Sequence, residues 1–269
     1  MLLPDCHIHT RFSSDSDTNP EDVINKAIQL NLSSICFTDH NDFDWPLDDG
    51  KILFDLDLNS YISYMKQLQA KYASRIPIYI GVEQGLASTC ARRIDEYDPD
   101  NQLDFIIGSS HLVYGKDPYE KEFWLGTDIG EAVTAYYESI VENIDTCNNY
   151  DVYGHLDYIA RYIPDKTYPY HINNYMDIIE TILKKLIDKG KGIEINTAGL
   201  KYGMGAPNPD VSVLKLYHEL GGEIITVGSD AHKPEDVAVY HKLAYQYLND
   251  SGFKYYTIFK NRTPQFINL

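Results

Sequence analysis

Asp5-Cys6-His7-Ile8-His9-Thr10 follows two leucines, Leu2 and Leu3, and has the form of a β-strand running into a polar exit. Residues i and i+2 of an extended chain share a face. The His7 and His9 imidazoles can therefore point at one small object, and the usual such object is a metal ion. Two partly exposed histidines at a strand end would look the same, so the decision rests on what the rest of the chain brings to that point.

Six further short apolar runs end in polar groups. Ser33–Thr38 leads to Asp39 and His40, Pro77–Val82 to Glu83, Leu103–Ser110 to His111, and Asp151–Gly154 to His155, with Asp157 and Arg161 just beyond. Gly192–Asn196 ends in a neutral amide, and Glu223–Ser229 runs into Asp230 and His232. Helical periodicity separates these runs. A helix is expected over Pro20–Leu30, with Asn19 as cap and Pro20 at the first position, and another over Leu58–Ser74, where Tyr61, Met65, Leu68 and Tyr72 fall in register. A short helical stretch near Ala87–Tyr97 follows, then helices over Asp128–Cys147, Tyr175–Lys189 and Pro209–Leu220; Lys233–Asp236 opens one more, and Phe253–Phe259 is a last extended segment. The Asp-rich connection reaching Leu56 is too polar for a core and long for a turn, which makes it a candidate active-site loop. Thr197–Pro209, with Gly199, Gly203 and Gly205, is the most flexible-looking stretch.

Strands alternating with helices predict a parallel sheet, and seven such units in 269 residues fit a closed or nearly closed (β/α) barrel, one domain over residues 1–269. In a barrel the C-terminal ends of all strands open onto one mouth. His7, His9, His40, Glu83, His111, His155, Asp230 and His232 all fall at such ends, whereas His171, His218 and His241 read as scattered surface histidines. So many imidazoles and carboxylates in one mouth would compete for too few counter-charges. With Asp15 the set is too large for one four-coordinate zinc and suits two or three divalent ions sharing a bridging carboxylate, with zinc, manganese or iron as the metals that accept both donor types. A stabilising cluster without chemistry is the other possibility, although structural sites are closed and use few ligands.

The net charge of −17 argues against nucleic acid or an anionic membrane as partner; a phosphorylated substrate would need bound cations to invert the local field. Cys6, Cys36, Cys90 and Cys147 lie far apart without a C-x-x-C spacing and read as reduced, buried residues. With no signal-peptide pattern and no membrane-length apolar run, the expected location is the cytoplasm. The oligomeric state is open.

His7-x-His9, Asp15, Thr38-Asp39-His40, Glu83, Gly108-Ser109-x-His111, Gly154-His155-x-Asp157 and Gly228-Ser229-Asp230-Ala231-His232 together resemble the PHP (polymerase and histidinol phosphatase) family over nearly the whole chain. The resemblance implies a distorted (β/α)7 barrel with a trinuclear metal site at the C-terminal ends of its strands. By the same resemblance His7, His9, Glu83 and Asp230 hold one ion, Glu83, His111 and His155 a second, and Asp15, His40 and His232 a third. Asp15 stands where many members have histidine, and Asp17 is a nearby competitor for its role.

Within that family the chain looks most like a stand-alone histidinol-phosphate phosphatase, which implies hydrolysis of L-histidinol phosphate in histidine biosynthesis by in-line attack at phosphorus. Arg161 is the candidate phosphate clamp, because a guanidinium pairs bidentately with phosphate; the alternative is a surface ion pair. Arg11, Ser13 and Ser14 are further candidates for binding the substrate, and His232 or Asp17 could protonate the leaving group. Asp42, Asp44 and Asp48 are candidates for an acidic rim that attracts the substrate ammonium. Another phosphoester, such as a nucleotide or phosphotyrosine, and a non-catalytic metal-binding module remain as rival readings.

Overall fold

The computed structural model describes residues 3–46 and 53–269; Leu2 and Asp48 lie outside them. Six strands pair in chain order and every neighbouring pair is parallel. Helix α1 (Pro20–Gln29) leads into β1 (Ile35–Asn41), α2 (Leu58–Tyr72) into β2 (Ile78–Gly85), and α3 (Ala91–Asp95) into β3 (Phe105–Ser109). The short α4 (Lys121–Trp124) and the long α5 (Ile129–Thr146) precede β4 (Val152–Tyr153), and α6 (Met176–Asp188) precedes β5 (Gly192–Asn196). After α7 (Ala198–Lys201) and α8 (Val211–Glu219) comes β6 (Ile225–Gly228); α9 (His241–Asp250) is followed by the antiparallel hairpin β7 (Tyr255–Lys260) and β8 (Thr263–Asn268).

Local chemistry sets these boundaries. The Asn19 side chain accepts the Glu21 N–H at 3.1 Å ahead of Pro20, and Asp57 and Asp128 cap α2 and α5 in the same way, each satisfying donors that the first helical turn leaves free. β2, β3 and β5 are buried along almost their whole length, as expected of parallel strands covered by helices on one side and barrel interior on the other.

The seventh position of the barrel is filled by the opening segment. Asp5 bridges to Ile35 and Ile8 to Ala231, both parallel. Cys36 N–H donates to the Asp5 carbonyl at 2.9 Å, while Cys6 N–H donates to the Val227 carbonyl at 2.8 Å. Residues 5–9 thus sit between the two edge strands, β1 and β6, and close the sheet. They do not form a regular strand because side chains replace part of the ladder: Thr38 Oγ1 accepts the Ile8 N–H at 3.0 Å, and Asp5 Oδ1 accepts the Ser229 N–H at 2.9 Å.

Other expectations shift in detail. The last extended segment is one arm of the hairpin. Lys233–Asp236 makes only a 3-10 turn at Pro234–Asp236, with α9 starting at His241. His241 is buried, not superficial, with Nε2 3.9 Å from Asp5 Oδ2, and Cys90 is half-buried while the other three cysteines are buried. Thr197–Pro209 carries α7 and a bridge from Asn208 back to Asn196.

The hairpin covers the end of the barrel opposite the strand exits. Phe259 stacks on Phe105 with centroids 5.0 Å apart, and at the turn Arg262 Nε donates to Asp151 Oδ2 at 2.6 Å. Phe259→Ala should therefore cost about 3 kcal/mol of unfolding free energy, the usual scale for emptying a buried phenylalanine site, with metal binding retained because the strand exits lie at the other end. Urea unfolding checks this; a loss below about 1 kcal/mol would show that the hairpin does not seal the barrel.

Candidate metal centre

Glu83 lies in β2, fully buried, and its two oxygens face different histidines. Oε2 is 3.1 Å from His7 Nε2, 3.4 Å from His9 Nε2 and 3.1 Å from His40 Nδ1. Oε1 is 3.1 Å from His111 Nε2 and 2.9 Å from His155 Nε2, and accepts the Ser109 hydroxyl at 2.7 Å. Asp230 Oδ1 approaches His9 Nε2 to 3.3 Å and His7 Nε2 to 3.8 Å. Its φ of +55° is the left-handed conformation that turns the chain sharply after β6. Asp15 Oδ2 is 3.0 Å from His232 Nε2 and 3.7 Å from His40 Nε2. The His9 ring is within about 25° of parallel to those of His40 and His232, with centroids 4.2 Å from each. The nine expected ligands thus meet at one place, drawn from the exits of six barrel positions and the turn after residues 5–9.

The donor set fits cations. His7 Nε2, His9 Nε2, His40 Nδ1 and Glu83 Oε2 are buried and have no hydrogen-bond partner among the described residues, an arrangement costing about 1–3 kcal/mol per group unless something takes those lone pairs. The triads His7–His9–Glu83, His40–Glu83–His111, His7–His155–Asp230 and His9–His40–His232 each place their ligand atoms within 4.8 Å of one another.

Behind the ligands stand residues that the sequence reading did not assign this role. Glu194, fully buried in β5, accepts from His7 Nδ1 at 2.7 Å. Asp42 accepts from His111 Nδ1 at 2.7 Å. Ser13 Oγ donates to Asp39 Oδ1 at 2.8 Å and lies 3.2 Å from His9 Nδ1. Each contact assigns the ring proton to Nδ1 and turns the Nε2 lone pair inward, which is how outer carboxylates orient metal-binding histidines. Space for them is kept by glycine: a Cβ at Gly228 would lie 2.3 Å from Glu194 Oε1 and 2.4 Å from His7 Cβ, and one at Gly85 would lie 1.9 Å from Asp42 Oδ1.

The centre forms one wall of a cavity of about 520 Å³. Arg161, Lys201 and Lys233 line the same cavity, together with Tyr158, Tyr162 and Tyr202. Other candidates fall elsewhere. Ser13 is buried and committed to His9 and Asp39, so it is not free for a substrate. Arg11 turns outward over the Tyr64 ring, 5.0 Å from its centroid, and the Ser14 hydroxyl accepts the Phe54 N–H at 3.3 Å. Asp17 is exposed and outside the cavity lining. Of the two rim candidates among the described residues, Asp42 is interior and Asp44 lines a different cavity, while Glu235 and Asp236 line this one.

Electrostatics follow from this crowding. Burial alone would lower the His7 pKa, but Glu194, Glu83 and Asp230 together hold it well above the usual value; Asp42 and Glu83 do the same for His111. Burial would raise the Glu83 pKa, yet His7, His111 and His40 hold it well below the carboxylate range. His40, which has no such relay, is pushed well down by burial and by His9.

Comparison with known proteins is consistent with this centre. Residues 5–198 match the PHP domain family. A probable histidinol-phosphatase of Clostridium acetobutylicum is 32% identical over 94% of this chain and 95% of that protein, and the histidinol-phosphatase of Lactococcus lactis is 34% identical over 86% and 85%. The crystal structure of the Lactococcus lactis histidinol phosphate phosphatase complexed with zinc, L-histidinol and phosphate superposes with a TM-score of 0.89 at 30% identity, covering 98% of this chain and 99% of that one.

Glu83→Gln removes charge from both oxygens that face the histidines, so it should lower bound metal more than any other single substitution. Glu194→Gln keeps the shape behind His7 but not the charge, and should weaken metal affinity about 10- to 100-fold with the fold intact. Metal analysis and competition with a chelator read both, and unchanged affinity in the two variants would sink the ligand scheme. A pH dependence follows as well. Burial would lower the His232 pKa, but its bond to Asp15 and the charges of Asp230 and Asp15 raise it from 6.5 to about 9 in the metal-free chain. A histidine pKa raised by folding contributes stability that is whole below 6.5 and lost as pH climbs through 9, while metal binding needs the neutral ring. Chelated protein should therefore lose stability across that window in urea unfolding at stepped pH, and added zinc should release protons near neutral pH. A flat profile with no proton release would contradict the coupling.

Proposed function

The chain belongs to the PHP domain family, and from that premise we infer that it is a metal-dependent phosphomonoesterase that hydrolyses L-histidinol phosphate to L-histidinol and phosphate. The observation that carries the reading is the meeting of nine candidate metal ligands, seven of which line one cavity together with three cationic side chains. The similarity to a protein whose crystal structure holds zinc, L-histidinol and phosphate adds the substrate.

In this reading His7, His9, Glu83 and Asp230 would hold one divalent ion, Glu83, His111 and His155 a second, and Asp15, His40 and His232 a third, with zinc, manganese or iron as the fitting metals. When bound, such ions stabilise charge on the phosphoryl oxygens and supply a water of lowered pKa. The chain's own part is to orient and enclose. Glu194, Asp42 and Ser13 fix the histidine rings. Arg161, in the lining of the same cavity, would offer its guanidinium to the phosphate oxygens. Lys201 adds positive charge but is tied to Asp236 at 2.5 Å. Of the two candidates for protonating the leaving oxygen, only His232 lines the cavity, and it could give a proton only while it is not bound to the third ion. The substrate's ammonium suits the Glu235 carboxylate in the same lining, since Asp236 is engaged by Lys201.

The net charge of −17 supports a small ester over a polynucleotide, whose many phosphates would meet a repelling surface. We place all 269 residues in one domain. Four cysteines without a disulfide support a reducing compartment such as the cytoplasm, and among the described residues no helix is long and apolar enough to cross a membrane. Phosphate release from metal-loaded protein should give kcat/KM for L-histidinol phosphate at least tenfold above that for a nucleoside monophosphate or phosphotyrosine, about 1.4 kcal/mol of transition-state binding. Equal rates would reject the substrate, and no release from any ester would reject the enzyme in favour of a metal-binding module.

A further inference from the structure

Arg161 sits in the 3-10 turn Tyr158–Tyr162, and what holds it there is aromatic. Its guanidinium carbon lies 3.4 Å from the centroid of the Tyr202 ring and 5.1 Å from that of Tyr162. Its backbone carbonyl accepts from Lys166 Nζ at 3.1 Å, but the guanidinium has no carboxylate or carbonyl partner among the described residues. This is unusual company for an arginine in a chain with 40 acidic and 23 basic side chains. The neighbouring Lys201 has the ordinary arrangement, an ion pair with Asp236.

The difference has a physical consequence. A carboxylate partner would consume two of the five guanidinium donors and cancel the charge, whereas a ring packed against the guanidinium face leaves every in-plane N–H free and the charge unpaired. The position is also fixed from the other side. Tyr162 packs on Tyr158 at 4.8 Å, and Tyr158 stacks on the candidate ligand His155 at 4.9 Å. We propose that Tyr202 is a positioning residue: its ring clamps Arg161 against Tyr162, so that the guanidinium edge faces the phosphate site with its donors unspent. Tyr202 directly follows α7, in the glycine-rich connection after β5, and through it this loop acts on phosphate recognition without touching the phosphate. The inference rests on the reading of Arg161 as the phosphate clamp, and the test separates the two.

In metal-loaded enzyme, calorimetry with inorganic phosphate and kcat/KM with L-histidinol phosphate are measured for Arg161→Ala, Tyr202→Leu, Tyr202→Phe and the double variant Arg161→Ala/Tyr202→Leu, with metal content checked in each. Arg161→Ala should reduce kcat/KM about 100-fold, the scale of losing a charge-stabilising donor. Tyr202→Leu should reduce kcat/KM and phosphate affinity about tenfold, Tyr202→Phe should restore both to within about twofold of the parent, and the double variant should be no worse than Arg161→Ala alone. Full phosphate affinity in Tyr202→Leu with a large loss in Arg161→Ala would overturn the positioning role and leave the clamp standing. The same tenfold loss in the Arg161→Ala background, or a Tyr202→Phe variant as poor as Tyr202→Leu, would overturn it too, by assigning the effect to a direct contact or to the hydroxyl. Unchanged phosphate affinity in Arg161→Ala would remove the clamp, and the positioning role with it. Tyr202 is about half exposed, so the variants are expected to fold.

Discussion

A carboxylate buried to zero exposure with five imidazoles around it is the constraint on which the rest of this barrel depends. Glu83 cannot stay ionised there by solvation, and each histidine that neutralises it by taking a proton becomes a buried cation in turn. The histidines near Glu83 divide by what stands behind them. His7 and His111 have buried carboxylates at their backs and are held charged in the metal-free chain, while His40, without one, is held neutral. The centre therefore balances charge with protons when it must and has the same atoms ready for divalent ions. Proton and metal compete for a single set of lone pairs.

Closure of the barrel and construction of the centre are one event. Residues 5–9 join β1 to β6, and the same five residues deliver His7 and His9. Asp5, which accepts from Ser229 N–H and Oγ–H and from Ala238 N–H, ties that segment to the turn that presents Asp230. A segment that must both close the sheet and place two ligands gives up ladder regularity, and side-chain acceptors on Thr38 and Asp5 take over where backbone carbonyls are missing. Irregularity at a functional strand is the compromise expected where local structure and function conflict.

Much of this was legible in the sequence because the period of the signal matched the fold. Apolar runs ending in His, Glu or Asp, separated by helical stretches, are what a barrel with ligands at its strand exits must look like, and His7, His40, Glu83, His111, His155 and Asp230 all lie where that pattern puts them. What escaped were residues whose role depends on distant partners. Glu194 meets His7 across 187 positions, yet it left a trace: a carboxylate inside the apolar run Gly192–Asn196 could not be buried alone. Asp42 was hidden by the Asp-rich stretch it belongs to, where composition suggests a solvated loop. Arg11, Ser14 and Asp17 follow the ligand strand as closely as Ser13 does, but the direction of a side chain in a turn is set by tertiary contacts such as Tyr64 and Phe54, which spacing does not encode. His241 misled for the same reason, being placed by its helix and not by its neighbours.

Arg161 and seven of the candidate ligands share one cavity lining and meet different electrostatic demands. Behind the candidate ligands His7 and His111 stand Glu194 and Asp42, which favour the charged or metal-bound ring. A carboxylate beside Arg161 would cancel its charge, which would weaken the phosphate clamp proposed for it. In a chain carrying 40 acidic side chains that exclusion has to be built. Aromatic rings are the side chains that can hold a guanidinium firmly without neutralising it. The tyrosines at positions 162 and 202, within a chain that has 23 of them, hold the Arg161 guanidinium without pairing its charge, whereas Lys201 in the same cavity is paired with Asp236.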